Sequence, residues 1–149
     1  MAISPLPPDF SDFLKLLEDE GVAYLLIGGY AVGYYGYPRA TADMDIWISV
    51  DTLNAARVCT ALRRFGMTDP TITPELFLEK GKIIRMGIPP MRLEVLTEIS
   101  GVDFQDCFSR RRRVDLGGFE ANLISLDDLK INKRASGRHK DLEDLHHLP

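Results

Sequence analysis

Asp43, Asp45 and Glu94 are the side chains of this sequence best suited to gripping a hard cation. The first two belong to Asp43-Met44-Asp45-Ile46-Trp47-Ile48, which has the partial alternation of a half-buried strand. Side chains two apart on a strand share a face, so both carboxylates project together while Met44, Ile46 and Ile48 enter the core. Like charges placed side by side repel. A divalent cation offsets that repulsion, and carboxylates with phosphate oxygens form the usual shell of Mg²⁺. A solvated pair of aspartates at the start of an edge strand is the other reading. Glu94 lies within Met91-Arg92-Leu93-Glu94-Val95-Leu96, a second strand pattern. If the two strands are neighbours, Glu94 completes a three-carboxylate cluster able to hold two metals about 4 Å apart.

Several other residues could serve such a cluster. Leu25-Leu26-Ile27-Gly28-Gly29-Tyr30 is a strand running into a glycine turn and a short helix. Glycines there allow close approach of an anion to the backbone, or answer only a steric need of the turn. Arg39 and Thr41 share strand parity with Asp43, so each either touches a phosphate or shapes the entry to the strand. Lys130, Lys133 and Arg134 lie three or four apart on one helix face, which is either a solvated basic face or an anion site. Asp141 is placed to orient Arg138 or Lys140. Arg110, Arg111, Arg112 and Arg113 form a run that either protects a sheet edge from pairing or contacts RNA. Trp47 shares the carboxylate face and either packs near the sheet end or stacks on a base. His139, His146 and His147 lack ligand spacing and read as surface residues.

The elements that must position these groups follow from pattern. Helices are expected at about 9–20, 30–35, 51–65 (with Asp51 as cap and Gly66 past the end), 104–108 and 125–135. A short helix follows Thr73-Pro74, and a last helical piece covers 141–148 beyond the break at Gly137. Strands are expected at 22–27, 44–50, 82–86 and 91–97, and at 112–116 and 119–124 as a hairpin about Gly117-Gly118. The mixture predicts one α/β domain over 1–149, with a mixed, largely antiparallel β-sheet flanked by helices.

Gly-Gly before a short helix, then Arg39-Ala40-Thr41-Ala42-Asp43-Met44-Asp45 on a strand, then a later strand carboxylate, resembles the DNA polymerase beta-type nucleotidyltransferase superfamily. The ending Asp128-Leu129…Lys133…Gly137-Arg138-His139-Lys140-Asp141-Leu142 is similar to that of its minimal nucleotidyltransferases, which include AbiEii-like toxins of toxin–antitoxin pairs. The resemblance implies the nucleotidyltransferase fold and transfer of a nucleotidyl group from a nucleoside triphosphate. It implies Asp43, Asp45 and Glu94 as catalytic metal ligands for Mg²⁺ or Mn²⁺, with Gly28, Gly29, Arg39, Thr41 and Lys133 on the nucleotide. Two features depart from the pattern: Gly-Ser is frequent where Gly28-Gly29 stands, and Asp is frequent where Glu94 stands. A catalytically degenerate binding or regulatory protein on the same fold is the alternative, and a metal-dependent glycosyltransferase a more distant one. The acceptor is open: tRNA, a protein hydroxyl or a small molecule would fit the same donor site, and a cognate antitoxin would be a further partner.

The bulk properties agree with a globular domain. The 149 residues suffice for one core, and 45% hydrophobic with 27% charged residues is ordinary for a globular chain. A net charge of −4 is not the footprint of a dedicated nucleic-acid binder. Cys59 and Cys107 sit in apolar helical patterns and read as buried thiols. No apolar run approaches the ~18 residues of a membrane span, and Met1–Pro8 lacks the pattern of a secretory signal. A cytoplasmic enzyme is the expectation.

Overall fold

The computed structural model describes residues 6–41, 43–88 and 92–149. Ala42, the expected strand start at Met91 and the Pro89-Pro90 part of the preceding connection lie outside them. Helix α1 (Pro8–Asp19) buries Phe10, Phe13, Leu14 and Leu17, the stripe that its 3.6-residue period lines up. Strand β1 (Tyr24–Ile27) is buried along its whole length. It passes directly into α2 (Gly28–Tyr34), which begins on the glycines themselves, two residues before the sequence pattern suggests. Strand β2 (Asp43–Ile48) includes both aspartates. Helix α3 (Thr52–Phe65) starts where Asp51 accepts the Asn54 N–H at 2.8 Å and stops at Gly66 in the left-handed conformation.

A single 3₁₀ turn (Pro74–Phe77) leads to β3 (Ile83–Met86) and β4 (Arg92–Leu96). Helix α4 (Phe104–Ser109) precedes the hairpin of β5 (Arg112–Asp115) and β6 (Glu120–Leu123). Helices α5 (Leu126–Ser136) and α6 (His139–His147) end the chain, with Gly137 left-handed between them. Helix α6 starts two residues before the expected 141, because the Asp141 carboxylate accepts the Arg138 backbone N–H and closes the first turn.

The sheet has six strands in the order β3-β4-β2-β1-β6-β5. Pairings β1–β2, β3–β4 and β5–β6 are antiparallel, whereas β2–β4 and β1–β6 are parallel. This is the mixed, largely antiparallel sheet that the sequence pattern predicts. Met44, Ile46, Leu93 and Val95 enter the core from the face opposite the carboxylates and belong to the same cluster as the buried side chains of α1 and α3. Each large apolar side chain so buried contributes roughly 1.5–3 kcal/mol. Asn54 pins α3 to the sheet: its side chain accepts the Ala23 N–H and donates to the carbonyls of Ala23 and Ser49. No helix among the described residues is long and apolar enough to cross a membrane.

Candidate active site

The central strand β2 meets β4 in register Asp43↔Arg92, Asp45↔Glu94 and Trp47↔Leu96. Its other neighbour sets Ile27 opposite Asp45, so the β1–α2 turn lies beside the same carboxylate. Asp45 and Glu94 therefore stand side by side on one face, above a cleft of about 320 Å³. The cleft wall includes Gly28, Gly29, Arg39, Arg85, Lys133, Arg138 and Lys140.

Asp45 is the strained member of the group. Burial, a hydrogen-bonded approach to Glu94 and the charges of Glu94 and Asp43 push its carboxyl up to about 7, against a partial pull from Lys140. Its Oδ1 is buried without a hydrogen-bond partner. Asp43 sits differently. Both its oxygens accept from the Arg92 fork, at 2.8 and 2.9 Å, and that bond holds its carboxyl below the usual carboxylate range. Glu94 accepts from Arg85 Nε at 2.8 Å. The fold thus brings Asp45 and Glu94 together, while the Asp43 carboxylate is occupied by the Arg92 fork, which also lies 3.9 Å from Glu94. As they stand, no three His, Cys, Asp or Glu side chains among the described residues form a metal-binding group.

Gly28 explains how Asp45 is accommodated. At φ +68°, a Cβ on this residue would lie 2.2 Å from Asp45 Oδ2. The carboxylate occupies the space that any side chain at position 28 would need. A Cβ on Gly29 would in turn lie 2.9 Å from the Thr41 side chain, whose hydroxyl donates to the Asp43 carbonyl. Both glycines line the cleft, and both are required by what packs against them. Thr41 shapes the entry to β2. Gly28→Ala also incurs about 1–2 kcal/mol for a left-handed non-glycine residue. We expect it to lower the melting temperature followed by circular dichroism; an unchanged melting temperature would show that Asp45 needs no such space.

The C-terminal cations are arranged otherwise than their sequence positions suggest. Lys133 is 5% exposed. Its amine lies 3.2 Å from Asp141 and 3.1 Å from Asp144. Arg39 clasps Asp144 with two bonds of 2.8 and 3.0 Å, and Arg138 clasps Asp141 from the other side. Burial opposes ionisation of both aspartates, yet the bonds from Arg138 to Asp141 and from Arg39 and Lys133 to Asp144 keep both carboxyls below the usual range. Three cations face two carboxylates in this cluster, which leaves positive charge on the cleft wall. Arg138 and Lys140 carry that charge toward the carboxylates, being attracted to Asp45 with Glu94 and to Asp43 with Asp45 respectively. Asp141 indeed orients Arg138, as expected.

Four further cations have places of their own. Each arginine of the 110–113 run is engaged within the molecule. Arg110 forks onto Asp128, Arg111 bonds Asn122 and covers Phe108, Arg112 lies over Tyr34, and Arg113 bonds Glu18 and Asn122. All four remain exposed at the surface despite these contacts. Arg85 and Arg92 have no assigned role in the sequence reading, although parity could have found them: Arg92 is two residues from Glu94 and so shares its face.

No family model matches the sequence, and no curated protein matches it. Solved structures do match the fold. A candidate nucleotidyltransferase from Thermotoga maritima superposes with a TM-score of 0.60 at 18% identity, covering 92% of this chain and 88% of that one. An antigenic nucleotidyltransferase-like protein from Paracoccidioides brasiliensis superposes with a TM-score of 0.54 at 19% identity, covering 97% of this chain and 77% of that one. At these identities the likeness is one of architecture, and it extends over nearly the whole chain: the protein has the nucleotidyltransferase fold.

Proposed function

We propose that this protein is a metal-dependent nucleotidyltransferase that takes a nucleoside triphosphate as donor. The observation that carries the reading is the Asp45–Glu94 pair, half-buried side by side with Asp45 Oδ1 buried and unpartnered, facing a wall of Arg39, Arg138 and Lys140. A buried carboxylate raised to about 7 is poorly compensated by its own surroundings. An all-oxygen donor set of this kind fits Mg²⁺ or Mn²⁺. Asp45 and Glu94 would hold the ion, joined by Asp43 once its side chain leaves Arg92. When bound, the cation supplies neutralisation of phosphate charge and polarisation of the α-phosphate. The chain's own contribution is positioning. Arg138 and Lys140 attract the triphosphate into the cleft, Gly28 leaves room for the Asp45 carboxylate, and the Lys133 cluster holds α6 against α5. An acceptor hydroxyl on tRNA or protein, and a place in a toxin–antitoxin pair, extend this proposal from the sequence resemblance rather than from the cleft.

A second reading has an observation in its favour. Arg92 and Arg85 already neutralise Asp43 and Glu94, as they would in a binding protein without turnover. One pair of measurements separates the two. Mn²⁺ with a non-hydrolysable triphosphate should raise the melting temperature, because a ligand of the folded state alone stabilises by mass action. Labelled nucleoside triphosphate incubated with candidate acceptors should then release pyrophosphate. Stabilisation without pyrophosphate from any acceptor class favours the binding protein, and absence of stabilisation removes both. Glu94→Gln should lower turnover on the order of 10²-fold, as loss of one preorganised electrostatic group does, with a smaller effect on nucleotide binding.

A further inference from the structure

We infer that a recess at the C-terminal ends of β2 and β4 receives the base of the donor nucleotide, which accepts a hydrogen bond from the indole N–H of Trp47. The identification of the occupant rests on the nucleotide reading above; the recess and its donor do not. The recess has a volume of about 220 Å³ and is lined by Trp47, Ser49, Thr97, Glu98, Phe104 and Gln105, among others. That is below the ~300–1,000 Å³ of sites for drug-sized ligands, and suits a single flat ring system.

Its buried polar groups are satisfied with one exception. Thr97 donates to the Glu79 carbonyl at 2.7 Å, Ser49 to Asp51 at 3.0 Å, and Gln105 to Ser49 at 3.0 Å. Trp47 is 2% exposed, and its Nε1 has no partner. Among the described residues, this atom and Asp45 Oδ1 are the two buried side-chain polar atoms left unsatisfied. A buried donor without a partner costs roughly 1–3 kcal/mol, which a ligand with an acceptor atom on its edge recovers. The indole is held by the edge-on ring of Phe104, with centroids 5.1 Å apart at 82°. Its N–H is therefore a positioned donor.

Placement relative to the carboxylates names the occupant. Trp47 follows Asp45 by two residues on the same strand face, a separation of about 7 Å. Glu98 lines both this recess and the carboxylate cleft, so the two adjoin. A molecule with phosphates at Asp45 and Glu94 has a sugar between the two sites and its base in the recess. Ring carbonyls and ring nitrogens of nucleobases are acceptors of the kind an indole N–H needs.

Trp47 is the only tryptophan, so its fluorescence reports this site alone. The full chain is titrated with uridine, cytidine, guanosine and adenosine, which carry no phosphate. At least one of them should change the Trp47 emission saturably. By calorimetry with Mn²⁺, the matching triphosphate should bind at least about tenfold more tightly than inorganic tripolyphosphate. Trp47→Phe keeps a ring but removes the N–H; it should lose about fivefold in nucleoside triphosphate affinity and nothing for tripolyphosphate. Val102→Phe narrows the recess from its rim without touching the buried strand, and should weaken the nucleoside triphosphate alone. Equal affinities for nucleoside triphosphate and tripolyphosphate, or unchanged nucleoside triphosphate affinity in both variants, would mean that the indole serves only water and would overturn the inference. Nucleosides that perturb Trp47 in a protein that ignores Mn²⁺ and tripolyphosphate would leave the pocket standing and sink the carboxylate reading instead.

Discussion

Asp45→Asn is expected to make the metal-free protein more stable at pH 8 and to make it blind to metal. The Asp45 carboxyl is raised from an ordinary 3.8 to about 7, first by burial and then by Glu94 and Asp43. Between those two values the unfolded chain is ionised at this position while the folded chain keeps the proton. Unfolding then releases a proton, so stability falls as pH rises through that window, and the full cost is present above pH 7. Asparagine carries no such charge. At pH 8 the variant should exceed the wild type in stability by on the order of 2–4 kcal/mol, seen as a higher melting temperature. The difference should shrink toward zero as pH falls to about 4. Adding Mn²⁺ with triphosphate at pH 8 should reverse the order, stabilising the wild type and leaving the variant unmoved. Nucleotidyl transfer should fall by roughly 10²–10³-fold. Thermal melts at pH 4, 6 and 8, with and without ligand, decide the matter. A variant less stable than wild type at pH 8 without metal would show that the carboxylate has a compensating partner and is no empty ligand.

Lys133→Ala should have the largest effect on folding. It strips the shared cation from Asp141 and Asp144, both about 1% exposed at the side chain. Removing one partner of a buried charge group costs about 3–5 kcal/mol. The depressed carboxyls of Asp141 and Asp144 contribute stability that is present above about pH 4 and lost as pH falls through their lower folded values. The deficit of Lys133→Ala should therefore be widest near neutrality and narrow in acid. Equilibrium urea unfolding at pH 7 and pH 3 measures it. The phosphate role expected from the sequence resemblance makes a different forecast: an unchanged urea midpoint with weaker triphosphate binding. Lys133→Arg keeps the charge but overfills a closed site and should recover part of the loss.

These two residues also show where sequence reasoning was strong and where it stopped. The Asp43–Asp45 parity, the paired Glu94 strand, the glycine turn and the Asp51 cap are all local or period-two signals. Strand and helix order followed from them. What local pattern could not show was which cation answers which carboxylate. Lys133 and Asp141 are eight residues apart across a helix break, Arg39 and Asp144 are 105 apart, and Arg92 and Asp43 are 49 apart. Such pairings depend on how α6 folds back and on the β2–β4 register, and neither leaves a mark in nearby residues. The partners of the Arg110–113 run stayed hidden for the same reason. Four adjacent positive charges suggest a shared surface, and the turn from α4 into β5 gives the side chains different contacts, with Asn122 shared by Arg111 and Arg113.

The sheet order has a consequence for the life of the chain on the ribosome. β1 pairs early with β2 through a short connection, so a nascent chain can display both aspartates soon after they emerge. Yet β1 must wait for β6 on its other side, some hundred residues later, and Arg39 must wait for Asp144 on α6. Contacts this distant close slowly. Until they do, the acidic strand stands without the basic side chains that α6 brings to it. Assembly order alone therefore makes the cleft one of the last features of the domain to be completed.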